Sequence, residues 1–133
     1  MDLKKSKNST PRIKVIQKLY NSLMNPEAEI NFPKSQYKKF IKDVVNGTLE
    51  RLEVIEENIN LYLSGDVNLN KTDKILKIIL FAAIFELMYK HNTPTKVIIN
   101  EYLLASEHFL EKIQIGYLNA ILDKISKELR KDD

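Results

Sequence analysis

Residues 75–88 read ILKIILFAAIFELM. Apolar side chains fall on nearly every side of a 3.6-residue helix, and Lys77 and Glu86 are the only charges in the run. A helix at a protein surface keeps a polar face, so one that is apolar all round is wrapped by other elements. The run is too short and too charged to cross a membrane, which takes roughly 20 apolar residues. A buried central helix is therefore predicted over about 71–90. Asn70 is its candidate cap and Asp73 stands at a position the helix dipole favours. Glu86 has two readings: a buried acid with a raised pKa, or an acid that meets a lysine or a helix N-terminus.

On the C-terminal side, Asn92-Thr93-Pro94 ends that helix and starts the next, with Thr93 as cap and Pro94 in the first turn. This helix is expected to reach His108 or Phe109. A last helix spans about 112–130, with Ile115, Leu118, Ile121, Leu122, Ile125 and Leu129 on one face. The mostly basic run from Lys127 to Lys131 suits its C-terminus. On the N-terminal side, Thr10 and Pro11 open a first helix with Ile13, Ile16, Leu19, Tyr20 and Leu23 at helical spacing. Asn25-Pro26 closes it, and residues 26–33 form a loop. A long helical stretch follows from about Lys34 to Leu63, striped by Phe40, Val44, Leu52, Ile55, Ile59 and Leu63. Gly47 costs ~1 kcal/mol against Ala inside a helix, so a bend or break is expected near Asn46-Gly47. Ser64-Gly65-Asp66 stops the stretch. No strand-like alternation appears. The fold class is all-α, with five to seven helices in one domain over 11–131 and a flexible basic arm over 1–10.

Composition narrows the function. The 133 residues suit one domain, and 44% hydrophobic residues are enough for a core. With no cysteine, and with His91 and His108 far apart, neither a disulfide framework nor a zinc site is indicated. No glycine loop cradles a phosphate, and no nucleophile stands beside a base. Glu56 and Glu57 are adjacent and point apart on a helix. The chain reads as a non-enzyme with no metal, no cofactor and no small-molecule substrate. With no apolar signal segment, a soluble cytoplasmic protein is expected.

Charge is uneven. Residues 1–20 hold six basic side chains against Asp2, a net of +5, and the remainder carries a net of −2. A basic N-terminus is the footprint of a nucleic-acid contact or a solubilising tail. Tyr20 and Tyr117 suit stacking on unpaired bases, or a core position with a wet hydroxyl.

Residues 94–103, PTKVIINEYL, resemble the Pro-x-Lys-Val-x-Ile-Asn-Glu segment of the NusB family of transcription antitermination factors. ILFAAIFELMY at 79–89, FLEKIQIGYLNAILDKI at 109–125 and PRIKVIQKLY at 11–20 are similar to family segments in the same order, so the resemblance covers roughly residues 9–130. A NusB-like domain also precedes certain ribosomal RNA cytosine methyltransferases, but this chain has no catalytic domain, so the free-standing factor is the better match.

The resemblance implies two packed three-helix subdomains. It also implies binding of boxA-like RNA with the ribosomal protein NusE, within the antitermination complex of elongating RNA polymerase at ribosomal RNA operons. Lys4, Lys5, Lys7, Arg12 and Lys14 would hold phosphates and Tyr117 a base, and Gln17, Lys96 and Asn119 complete the expected RNA-binding set. Asn100 and Glu101 match the family too, and are expected to make a polar contact between helices more than a ligand contact. Lys96 lies in a first turn that disfavours a cation, so a carboxylate or an RNA phosphate is expected beside it. Phe81 and Glu107 stand where the family has arginine and lysine, and Ala120 replaces a glycine. The reversed charge at Glu107 motivates the alternative, a protein-only interaction module of this fold.

Overall fold

A computed structural model of the chain describes residues 11–131. Six helices fill it: α1 (Arg12–Met24), α2 (Lys38–Glu50), α3 (Leu52–Leu63), α4 (Lys74–Tyr89), α5 (Thr95–Ser106) and α6 (Lys112–Leu129). No strand occurs among the described residues. The expected caps at Thr10 and the arm over 1–10 lie outside them.

α4 is the axis of the molecule. Everything from Ile78 to Leu87 is buried, which leaves no polar face, and the helix packs against all five others. The remaining helices can then bury one stripe each. α1 contributes Val15, Ile16 and Leu19, and α6 contributes Leu118, Ile121, Leu122 and Ile125. α4, α5 and α6 all touch one another. α1 packs on α2 and α2 on α3, but α1 and α3 do not meet, so α4 closes the first group of three.

The long stretch from Lys34 to Leu63 breaks later than expected. α2 runs unbroken through Gly47, and the chain turns at Arg51. Gly47 serves close packing instead: a Cβ there would lie 2.2 Å from the Phe85 ring. The helical cost of this glycine is offset by letting α2 and α4 approach. At the turn, the Arg51 guanidinium lies 4.6 Å from the Tyr89 ring centre, which ties the junction to the end of α4. α2 itself begins at Lys38, after a turn over 34–37.

Caps also differ from expectation. Asp73, not Asn70, caps α4, its carboxylate accepting from the Leu76 N–H at 3.1 Å. Pro94, not Thr93, holds the cap position of α5. α6 starts at Lys112 with Glu111 and Gln114 bonded reciprocally in a capping box.

The C-terminus of α4 is closed by the residue that follows α6. Arg130 is buried, and its guanidinium donates to the carbonyls of Glu86, Leu87, Lys90 and Thr93 at 2.7–3.1 Å. These include carbonyls that a helix end leaves without partners. The basic end of α6 was expected to serve its own dipole; Arg130 serves that of α4.

Candidate nucleic-acid interface

α1 presents two faces of opposite use. Arg12 points inward. Its Nε and Nη2 donate to the two carboxylate oxygens of Glu86 at 2.9 and 2.7 Å, a bidentate fork. Tyr102 on α5 donates its hydroxyl to the same carboxylate. Arg12 also lies 4.8 Å from the Phe40 ring centre and 3.7 Å from a Glu101 oxygen. Burial works against the charge on Arg12, but the bonds and charge of Glu86 outweigh it and its pKa is raised. Burial, then the Glu86 charge, holds the Tyr102 hydroxyl well above its ordinary value.

The partner of Glu86 is thus an arginine in the first turn of α1, where a lysine or a helix N-terminus was expected. Arg12 itself was expected to hold an RNA phosphate. The structure places it in the core, 7% exposed, with its fork already filled by a carboxylate. Glu101 makes the interhelical polar contact expected of it, while Asn100 is exposed.

The outward face of α1 is basic and wet. Lys14 and Gln17 are exposed, and with Lys18, Tyr20 and Asn21 they line an open cleft of about 460 Å³. Its far wall is Ile75, at the start of α4, and Phe109, before α6. A second cleft also borders that first turn of α4. It is lined by Asn68, Lys71, Asp73, Leu76, Gln114 and Tyr117 among others. The Tyr117 ring is 37% exposed, and its hydroxyl donates to the Asp66 carbonyl. The Asp66 carboxylate in turn pairs with Lys124 at 2.6 Å, so the α3–α4 loop is strapped to α6 and the ring is held in place. Partial burial, then the Asp66 charge, raises the Tyr117 pKa.

The expected set therefore divides. Lys14 and Gln17 share one cleft, and Tyr117 lines its neighbour. Lys96 and Asn119 come together in a third groove between α5 and α6, with Asn100, Asp123 and Lys127. Among the described residues no carboxylate lies within ion-pair distance of Lys96, and Asp123 pairs with Lys127 at 3.1 Å. Lys4, Lys5 and Lys7 lie outside the described residues. Sequence reasoning missed Lys71, Phe109 and Gln114 as cleft residues. Their only signal was polar or aromatic character at helix ends, which says nothing of neighbours across the fold.

No group of three acidic, histidine or cysteine side chains able to hold a metal occurs among the described residues, and no described helix is long and apolar enough to cross a membrane.

Comparison with known proteins agrees with this architecture. The family model described as "NusB family" matches residues 3–127. The chain is 36% identical over 107 residues to a transcription antitermination protein NusB of Rickettsia bellii (strain OSU 85-389), covering 80% of this chain and 66% of that protein. It is 31% identical over 94 residues to the NusB of Rhodopseudomonas palustris (strain HaA2), covering 71% of this chain and 56% of that protein. Against the NusB of Rickettsia typhi it is 28% identical, with 95% of each chain covered. The matched region thus spans between about half and two thirds of the first two relatives. The solved structure of T. maritima NusB superposes with a TM-score of 0.75 at 22% identity, covering 90% of this chain and 93% of that one, a likeness of fold.

Proposed function

Because the chain belongs to the NusB family, we propose that it acts as a transcription antitermination factor of that type. In this reading it works in the cytoplasm, binding boxA-like single-stranded RNA together with the ribosomal protein NusE. The assembly joins the antitermination complex of elongating RNA polymerase at ribosomal RNA operons. No bond is made or broken.

The observation that carries the RNA contact is the α1 cleft, where Lys14, Gln17 and Lys18 stand beside Tyr20 and Phe109. Cations that track phosphates beside rings that stack on bases are the usual equipment of single-strand binding. Lys4, Lys5 and Lys7 precede this helix in the sequence and would add to the positive charge available to a phosphate backbone. Lysines would hold phosphates as point charges. Tyr117, with its hydroxyl engaged, offers its exposed ring to a base. Arg12 positions α1 and makes no contact with RNA. Lys96 and Asn119 enter the footprint where the strand crosses the α5–α6 groove.

A titration of boxA-like RNA, with and without the NusE-like partner, tests the reading. Affinity should fall steeply with salt, with a slope of about 0.7 per phosphate neutralised on a single strand. Deleting residues 1–10 should lower both affinity and slope; undiminished binding would remove the arm from the assignment. The second reading, a protein-only module, rests on the exposed Glu107 at the end of α5. Partner binding with no gain in RNA affinity would favour it.

A further inference from the structure

Lys14 and Lys18 sit one turn apart on α1 and line two clefts. One is the cleft with Gln17 and Phe109 described above. The other is a slot of about 150 Å³ between α1, the connector after it and the start of α2. Phe32, Pro33 and Ile41 form its apolar walls, and Lys38 joins Lys14 and Lys18 at its rim. None of the three lysines has a carboxylate within ion-pair distance among the described residues. The neighbouring Lys34, Lys39 and Lys42 are exposed as well, and so is the Tyr37 ring at 47%. Asp43 is the one acid between residues 34 and 43, and it pairs with Lys90.

Glu29 shares an adjoining recess with Lys18, but among the described residues no acid pairs with the three lysines, and a bound anion relieves the repulsion between them. The apolar walls add a demand that a simple anion leaves unmet, since Phe32 and Pro33 offer flat surface. A polyanion carrying planar bases meets both. Continuity points the same way: a strand leaving the first cleft over the Lys14–Lys18 ridge meets Lys38 next. We infer that this slot is a second nucleotide-binding subsite, which takes single-stranded RNA flanking the segment held in the first cleft. The inference rests on the RNA-binding reading above.

The test is fluorescence anisotropy on the full chain with the NusE-like partner and two RNAs: a boxA-like core, and the same core extended by several nucleotides at both ends. Lys38→Glu should weaken binding of the extended RNA about tenfold, the effect of reversing a charge at one or two phosphates, and leave the core RNA unchanged. Lys38→Arg should keep wild-type affinity. Lys14→Glu should weaken both RNAs. Because Lys38 is exposed, and an acid at the start of α2 suits the helix dipole, melting curves of its variants should show no loss of stability against the wild type.

If Lys38→Glu leaves the extended RNA unaffected while Lys14→Glu weakens both, the slot is overturned and the RNA reading stands. An equal loss on both RNAs also overturns it, since the slot would then belong to the core site. If the wild type binds neither RNA, the RNA reading falls first and takes the slot with it.

Discussion

Arg12 and Lys14 are two residues apart on one helix, carry the same charge, and meet opposite surroundings. Arg12 is enclosed by Glu86, Phe40 and Tyr102, while Lys14 faces water between two clefts. Two positions on a helix differ by about 200°, so a basic helix start can serve the interior and a ligand surface at once. Stability and binding should therefore separate cleanly along α1.

The largest expected effect breaks the interior side. Arg12→Ala leaves the Glu86 carboxylate buried without its fork and should cost about 3–5 kcal/mol in denaturant unfolding. A triple replacement, Arg12→Met with Glu86→Leu and Tyr102→Phe, should recover most of that loss, because no polar group of this network is left buried and unpaired. If the triple variant is as unstable as Arg12→Ala, the loss comes from packing and not from the stranded charge.

Arg130→Ala comes next, at about 2–3 kcal/mol, since it strips the carbonyls that end α4 of charged donors. Arg130→Lys should rescue little, because one ammonium cannot span four carbonyls. Amide exchange at the end of α4 would read the change directly, and unaltered protection there would count against the capping role.

Tyr102→Phe should cost about 1–2 kcal/mol at neutral pH. The sign of its pH dependence follows from the raised pKa. The neutral hydroxyl stabilises the fold fully below the ordinary tyrosine value of about 10, and that contribution fades as pH rises toward the folded value. The variant should therefore lose less stability than the wild type on alkaline titration above about pH 10. Parallel curves would contradict the assignment.

The smallest effect on stability belongs to the surface side. Lys14→Ala should change unfolding by no more than about 0.5 kcal/mol, yet lower the salt slope of RNA binding by about 0.7. A destabilised Lys14→Ala, or an Arg12→Met that folds and binds RNA less steeply with salt, would erase the division between the two faces.

Much of the fold was legible in the chain. The all-apolar run of α4 announced a central helix, and the stripes of α1 and α6 announced their buried faces. Gly47 misled because a glycine in a helix signals weakness locally, and nothing local reveals the Phe85 ring facing it. The site was less legible. Lys14 and Gln17 proved to share a cleft, whereas Arg12 left the surface for the core, and Lys96 and Asn119 gathered in a groove of their own. Spacing places side chains on one helix; it does not say which helices meet.

By itself the sequence determined the helical class, the central place of α4 and membership in the family, because periodicity, apolarity and motif order are properties of short stretches. Only the tertiary structure decided which cations are inside. Arg12 reaches its acid 74 residues away, and Arg130 reaches carbonyls some 40 residues back. It also gathered Lys14 and Lys18 with Lys38, and strapped Asp66 to Tyr117 and Lys124. The physical reason is that a charge can be buried only beside a partner, and here each partner comes from a distant segment brought near by packing on α4.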